Sequence, residues 1–211
     1  MKRHILKVLC GIEVCALVVG LQMTASAYSC GEGLDGYVCC GSYHTFGHGR
    51  YLPTSWGSRH GVRFYKIDEG FSDSEETTIS NAISVWNSRL KSGGVYQYFS
   101  LSQEGNNQQV IIKPSILENG IYGRTRFYST GGTVSIDGTT GMLSSGYTTV
   151  EIYIDSAKGK LKKVAEHEIG HSMGLSHRLC TTKSIMHNYV DAIEFTAPQD
   201  IDVATVYHTY C

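Results

Sequence analysis

One short stretch, residues 164–177 ("VAEHEIGHSMGLSH"), constrains what this chain can fold into more than any other part of it. His167 and His171 are one helical turn apart, so on a helix both imidazoles project in the same direction and can bind one metal ion. An apolar stripe recurs every four positions on another face of that helix: Leu161, Ala165, Ile169 and Met173. The sequence therefore predicts a helix over residues 158–173 that packs through its apolar face and presents metal ligands on another face.

A third imidazole would complete a zinc site of the catalytic kind. Gly174 can adopt the left-handed conformation that ends a helix, which turns the chain back and brings His177 to the same ion. Three neutral histidines leave the fourth zinc position to water, as in catalytic sites. Glu168 cannot easily share the metal of its neighbour, but its carboxylate can reach that water. The pattern predicts hydrolysis of peptide bonds by a zinc-bound water that Glu168 activates.

The five fixed positions of this motif are unlikely to arise by chance. With 9 histidines and 24 glycines in 211 residues, the motif is expected on the order of 10⁻⁴ times per chain. A core helix that only happens to contain histidine is therefore the weaker interpretation. A rival from another functional class is an exported, non-catalytic zinc-binding protein that uses the fold to bind a partner. The presence of Glu168 argues against that rival.

The N-terminus has the features of a secretory signal peptide. Lys2, Arg3 and Lys7 precede the apolar run "IEVCALVVGL", and the small residues "ASA" follow as a cleavage site. We therefore expect residues 1–27 to be removed and the protein to be secreted into the extracellular space. The apolar run carries Glu13 and is too short to span a bilayer, so no stable membrane anchor is expected.

Cleavage after residue 27 leaves a chain of a length that suits one domain. Residues 28–60 are rich in cysteine, glycine and histidine, and we expect them to form an extension or a short pro-segment. We expect residues 61–211 to form the catalytic domain. The formal net charge is −1, and no basic face is apparent, so we expect no nucleic-acid partner.

Five cysteines follow the predicted cleavage site, and in an exported protein they are candidates for disulfides, with at least one thiol left over. We expect Cys180 to pair with Cys211; two free buried thiols are the alternative. Of the three cysteines near the N-terminus, Cys30 is expected to pair with Cys39 or Cys40.

The pattern of residues 61–211 predicts an α+β fold. A first strand includes Val62, and a helix follows that begins at Ser72 or Asp73 and ends at Gly93. The buried stripe of this helix consists of Ile79, Ile83, Trp86 and Leu90. Further strands are predicted at residues 96–102, 108–114, 121–129 and 149–155, with a weaker one at 133–137. A last helix is predicted at 197–210, with Pro198 in its first turn. This order indicates a mixed sheet with a helix packed on it.

The stretch "HEIGHSMGLSH" followed by "SIMHNY" resembles the zinc site and Met-turn of the metzincin metallopeptidases. Together with the closing "PQDIDVATVY", it is most similar to the matrixin branch, especially its small secreted bacterial members. The resemblance covers residues 61–208. It implies a metzincin-like zincin fold: a twisted, mixed five-stranded sheet, two long helices, and a smaller C-terminal subdomain with one helix.

By position, the resemblance implies a role for each site residue. His167, His171 and His177 match the family's zinc ligands, and Glu168 matches its general base. Met186 matches the methionine under the metal, which acts there as a hydrophobic base and not as a ligand. We expect one catalytic Zn²⁺; a structural calcium ion is left open, although no motif indicates one.

Three positions after the motif depart from the family pattern or stay open. Arg178 stands where matrixins usually have serine, so the resemblance does not assign a metzincin subfamily. Tyr189 lies three residues after the Met-turn methionine, one more than the metal-facing tyrosine of the astacins and serralysins. It is expected either to wall the pocket or to approach the zinc or the oxyanion. His187 is expected to be a loop histidine, with a role at the developing charge as the alternative.

Substrates of the resembled family lie extended along an edge strand of the sheet, which implies a protein or peptide partner for this chain. We expect "IYGRTRF" (residues 121–127) to be that edge and "HNYVDAIEFTA" (187–197) to wall the main specificity pocket. We expect a monomer. The matrixin prosegment blocks its zinc with a cysteine, so the "CCG" at residues 39–41 is a candidate switch, although its surroundings do not match the family's switch sequence.

Overall fold

The computed structural model describes residues 60–102, 108–136, 143–178 and 182–210. The predicted signal peptide and nearly all of the predicted extension lie outside these residues. So do the five cysteines, and with them the predicted disulfides and the cysteine switch.

The described residues form one mixed sheet of six strands. These are β1 (His60–Ile67), β2 (Tyr96–Leu101), β3 (Val110–Pro114), β4 (Gly123–Ser129), β5 (Gly132–Val134) and β6 (Thr149–Ile154). Their order is β2-β1-β3-β6-β4-β5, and β1, β2, β3 and β6 are parallel while β4 runs antiparallel to β6. The mixed sheet is confirmed. It has one strand more than the five expected, because the weak stretch predicted at 133–137 supplies β5.

The first helix, α1 (Asp73–Ser92), follows its predicted pattern. Its start is fixed by Glu75, whose carboxylate accepts the backbone N–H of Ser72 at 2.7 Å, and two glycines follow its end. The predicted stripe is buried, with Ile79, Trp86 and Leu90 fully inaccessible to solvent. Because these residues recur at helical spacing, burial of one face gives the helix its orientation against the sheet.

The other two helices differ slightly from their predicted limits. Helix α2 (Leu161–Ser172) begins three residues later than predicted, after a 3-10 turn (Ser156–Lys158). Helix α3 (Asp200–Tyr210) begins two residues after Pro198, which therefore precedes the helix and does not lie in its first turn. A helix that combines the length and the apolar character of a bilayer span is absent from the described part of the chain.

Helix α2 packs against β4 and β6 of the sheet and, on another side, against α1, and this position places the metal-binding motif. Ala165, Ile169 and Met173 of its predicted stripe are buried, at 0–1% exposure, whereas Leu161 is only partly buried. On the α1 side, the indole of Trp86 donates a hydrogen bond of 2.8 Å to the backbone carbonyl of Glu166. The helix is therefore held on two faces, and the metal-binding residues of the motif project from a third face into the cleft.

Candidate metal centre and cleft

The three predicted ligands converge at one point. The Nε2 atom of His177 lies 3.1 Å from that of His171 and 3.2 Å from that of His167. His167 and His171 are buried on α2, whereas His177 comes from the segment after the helix and is the exposed member. The structure thus brings together the three imidazoles that the spacing pointed to.

The chemistry of this donor set fits zinc. The Nδ1 atoms of His167 and His171 each lie 2.7 Å from a backbone carbonyl oxygen, of Ile185 and Leu175 respectively. A carbonyl oxygen can only accept a hydrogen bond, so each Nδ1 carries the hydrogen and each Nε2 is left with a lone pair. Two nitrogens bound tetrahedrally at about 2.0–2.1 Å from zinc are separated by about 3.3 Å, close to the distances found here.

Burial also keeps these imidazoles in the neutral form that binds metal. It lowers the pKa of His167 to about 4 and the pKa of His171 well below its ordinary value, and proximity of the histidines to one another adds to both effects. The pKa of His177 is lowered for the same first reason. Neutral imidazole is the ligand form, so the site is prepared for a cation.

The turn that delivers His177 depends on Gly174, whose φ of +87° lies in the left-handed region that favours glycine. The end of α2 before this turn is bonded to buried groups from other parts of the chain. The guanidinium of Arg63 donates to the carbonyl oxygen of Ser172 at 2.6 Å, and the hydroxyl of Tyr210 donates to that of Met173 at 2.8 Å. The last carbonyls of a helix have no partners within the helix, and here buried side chains supply the hydrogen bonds that they need.

Glu168 lies on the wall of the same cleft and is 5% exposed. The hydroxyl of Thr125 on β4 donates a hydrogen bond of 2.6 Å to its Oε2 atom. Burial raises the pKa of the Glu168 carboxyl to about 7, although this hydrogen bond and the charge of Arg124 act in the opposite direction. The carboxylate is therefore oriented by a neighbouring strand at a position next to the three histidines.

Met186 lies beneath the motif, where the family resemblance implied a hydrophobic base. It is 1% exposed, and a Cβ atom added at Gly170 would lie only 2.3 Å from its sulfur. Only glycine at position 170 therefore allows the Met-turn to approach α2 so closely.

The Met-turn is bonded to α3 through Asp202, a residue that the sequence analysis missed. Its carboxylate accepts hydrogen bonds from the Ser184 hydroxyl (2.5 Å) and from the backbone N–H groups of Ile185 (3.1 Å) and Gln199 (2.8 Å). The carbonyl of the same Ile185 accepts a hydrogen bond from the Nδ1–H of His167, so Asp202 supports a metal ligand through one residue. The available signal was an aspartate placed among the apolar residues of "DIDVATVY".

Arg178, which departs from the family pattern, is buried beside this connection. Its guanidinium donates to the hydroxyl of Thr205 on α3 at 2.8 Å, and its backbone N–H donates to the carbonyl of Met186 at 2.8 Å. The residue after the third histidine therefore adds a further bond between the motif and α3.

Tyr189 and His187 both line the cleft. Tyr189 is 66% exposed, and its backbone N–H donates to Nδ1 of His187 at 3.2 Å. His187 lies in the loop after Met186, as expected, and its side chain is buried there. The structure thus places Tyr189 in the cleft wall, which is one of the two positions expected for it.

The cleft has a volume of about 1190 Å³ and lies between β4, α2 and residues 187–192. The stretch "IYGRTRF" was expected to form the edge of the sheet, but β4 is not the outermost strand. The reason is that β5 pairs with Phe127, Tyr128 and Ser129. Within the described residues, however, positions 123–126 of β4 pair only with β6. Pairing with β5 therefore shortens the free edge of β4, and the part that stays free lies beside the three histidines.

The family model of the matrixin peptidases matches residues 27–211. Comparison with curated protein sequences gives no significant match. The chain is similar in structure to high choriolytic enzyme 1, a hatching enzyme zinc-protease from the medaka fish Oryzias latipes, with 13% identity, 76% of this chain and 94% of that one covered, and a TM-score of 0.46. It is also similar to metalloproteinase-II from Bacteroides fragilis, with 12% identity, 80% of this chain and 58% of that one covered, and a TM-score of 0.43.

The contact between Asp202 and the Met-turn gives a first prediction. Asp202→Ala removes the acceptor that positions Ile185, so we expect zinc affinity to fall by about 10- to 100-fold, measured by competition with a chromogenic chelator. Asp200→Ala, which changes an exposed carboxylate on the same helix, is the control and is expected to bind zinc as the parent does. Equal affinity of the two variants would contradict the prediction.

Proposed function

The chain belongs to the matrixin family of peptidases, and from that premise we propose that it is a secreted, zinc-dependent endopeptidase in which Glu168 is the general base. The observation that carries this proposal is the convergence of three Nε2 atoms within 4.8 Å of one another in a cleft that Glu168 also lines. A site that served only to hold a structural metal would have no need of a buried carboxylate beside an open position.

The roles follow from the chemistry of each group. Zinc held by His167, His171 and His177 would supply Lewis-acid chemistry, polarising the scissile carbonyl and making water more acidic. Glu168 takes a proton from the attacking water and passes it to the departing amine. The hydrogen bond from Thr125 holds the Glu168 carboxylate in one orientation during both transfers. Met186 supports the ligands from below and takes no part in proton transfer.

The substrate is proposed to be an extended protein or peptide segment that pairs with the free part of β4. Residues 123–126 carry main-chain groups that β5 does not reach, and an unpaired strand edge is a template for another strand. The segment would lie across the cleft, with one of its side chains directed toward the wall formed by residues 187–192.

Export is proposed from the N-terminal sequence alone. The basic residues, the apolar run and the "ASA" triplet form the order of a signal peptide, and a secreted peptidase encounters its substrates outside the cell.

The assignment of the base can be tested with a quenched peptide library. The parent protein is expected to cleave the library and to lose activity when a chelator removes zinc. Glu168→Ala is expected to lower kcat by about 10²–10⁴-fold while zinc stays bound, because the carboxylate moves a proton and does not bind the metal.

Glu69→Ala, which removes an exposed carboxylate between β1 and α1, is the matched control and should leave kcat unchanged. Full activity of Glu168→Ala would reject the assignment of the base. A parent that binds zinc but cleaves nothing would instead support the non-catalytic zinc-binding alternative.

Pairing along β4 predicts a periodic sensitivity to backbone methylation. In a series of cleaved peptides that each carry one N-methyl group, those whose N–H faces β4 should lose about tenfold or more in kcat/KM. Because strand groups alternate in direction, the sensitive positions should recur every second residue. A flat profile along the peptide would contradict strand pairing.

Export predicts a defined mature N-terminus. Sequencing the protein recovered from the culture medium should give a chain that starts at Tyr28, or further along if part of residues 28–60 is also removed. Recovery from cells with Met1 retained would contradict the proposal.

A further inference from the structure

The ammonium group of Lys158 is surrounded by oxygen atoms, as a metal cation is in an oxygen-ligand site. Its Nζ atom donates to the backbone carbonyls of Leu117 (2.6 Å), Glu118 (2.6 Å) and Ile121 (2.8 Å). The carboxylate of Asp155 lies 3.2 Å away. All three N–H donors of the ammonium are therefore used by backbone, with one negative charge beside them.

This arrangement is partly shielded from water. The Lys158 side chain exposes 23% of its surface and that of Asp155 exposes 6%. Three carbonyl oxygens and a carboxylate are also the ligand types that hard metal cations prefer. The amine thus occupies a site whose chemistry suits a cation, with the difference that this cation is attached to the chain.

The three carbonyls belong to one segment, residues 115–122 between β3 and β4, which we call the rim loop. Asp155 also bonds to the rim loop. Its carboxylate accepts a hydrogen bond from the backbone N–H of Leu117 at 2.9 Å, and its backbone N–H donates to the carbonyl of Tyr122 at 3.0 Å. The lysine and the aspartate both lie in the connection from β6 to α2. The rim loop is therefore bonded to the segment that leads into the metal-binding helix.

The position of the rim loop connects this site with the cleft. Residues 120–122 line the cleft, and β4 begins at the next residue. Its first four positions pair with β6 alone among the described strands. Farther along β4, Arg124 forms an ion pair with Glu118 of the rim loop at 2.6 Å. Movement of the rim loop would therefore move the edge on which an extended peptide is proposed to lie.

We propose that Lys158 is a positioning residue for substrate: its ammonium acts as a tethered cation that organises the rim loop and so holds the start of β4 in place for peptide binding. This proposal rests on the proposed peptidase function. It assigns Lys158 no part in bond cleavage, since its contacts are with the rim loop and Asp155.

The test compares Lys158→Met with Lys91→Met, which removes an exposed lysine from α1. Loss of the charge and of three charge-assisted hydrogen bonds is expected to raise KM about tenfold for a cleaved peptide while kcat changes less than about twofold. Lys91→Met should leave both unchanged. A fall in kcat with KM unchanged, or no change in either, would overturn the proposal.

Chemical rescue separates the charge from a general loss of packing. Lys158→Ala removes a propylamine fragment, so propylammonium should lower the raised KM back toward the parent value. Tetramethylammonium, a cation without N–H donors, should not do so at the same ionic strength. Equal effects of the two salts, or no effect of either, would overturn the role of the ammonium.

Hydrogen exchange on the full-length protein tests the loop without relying on activity. In Lys158→Met, the backbone amides of Leu117 and Ile121 should exchange about tenfold faster than in the parent. Unchanged exchange would overturn the proposal even if the parent shows no peptidase activity, so the two failures are distinguishable. Faster exchange with an unchanged KM would also overturn it. If Lys158→Met does not fold, Lys158→Gln, which keeps two N–H donors without the charge, is measured in its place with the same expectations.

Discussion

The constraint on which the site depends is that three imidazole lone pairs must point at one another before any cation joins them. Such an arrangement is unfavourable in itself, so the protein has to hold it from behind. It does so through hydrogen bonds that the Nδ1–H groups of His167 and His171 donate to main-chain carbonyls. The residues that carry those carbonyls are held through their own N–H groups: Leu175 donates to Gly170 near the end of α2, and Ile185 donates to Asp202. The metal centre is therefore the inner part of a buried polar network that extends into α3.

Elements with a local repeat could be predicted from the sequence. The apolar stripe of α1 and the alternation of apolar residues within the strands predict which face is buried, because apolar residues spaced at the helix or strand period lie on one face. The same holds for the metal motif: His167 and His171 are neighbours on any helix, and Gly174 permits the turn that places His177. These features depend on residues close in the chain, where geometry leaves few alternatives.

Features that depend on distant partners could not be predicted in this way. Arg63 reaches Ser172, 109 positions along the chain, and Lys158 binds carbonyls 37–41 positions before it. A lysine in a short charged run gives no indication that its ammonium is shared among three carbonyls. The pairing of β5 with the end of β4 was missed for a related reason, since a three-residue strand carries too few residues for its alternation to be distinguished from a turn.

The short free edge of β4 has a consequence for the proteins this chain could cut. The four residues that pair on one side only, within the described part of the chain, span about 13 Å. A segment bound in the proposed way therefore gains few main-chain bonds and has to be straight over that distance. Segments within helices or paired strands of a folded target cannot meet this requirement without first detaching. Susceptibility would then follow the local unfolding equilibrium of the target as much as its sequence, which favours loops, termini and damaged or partly unfolded chains.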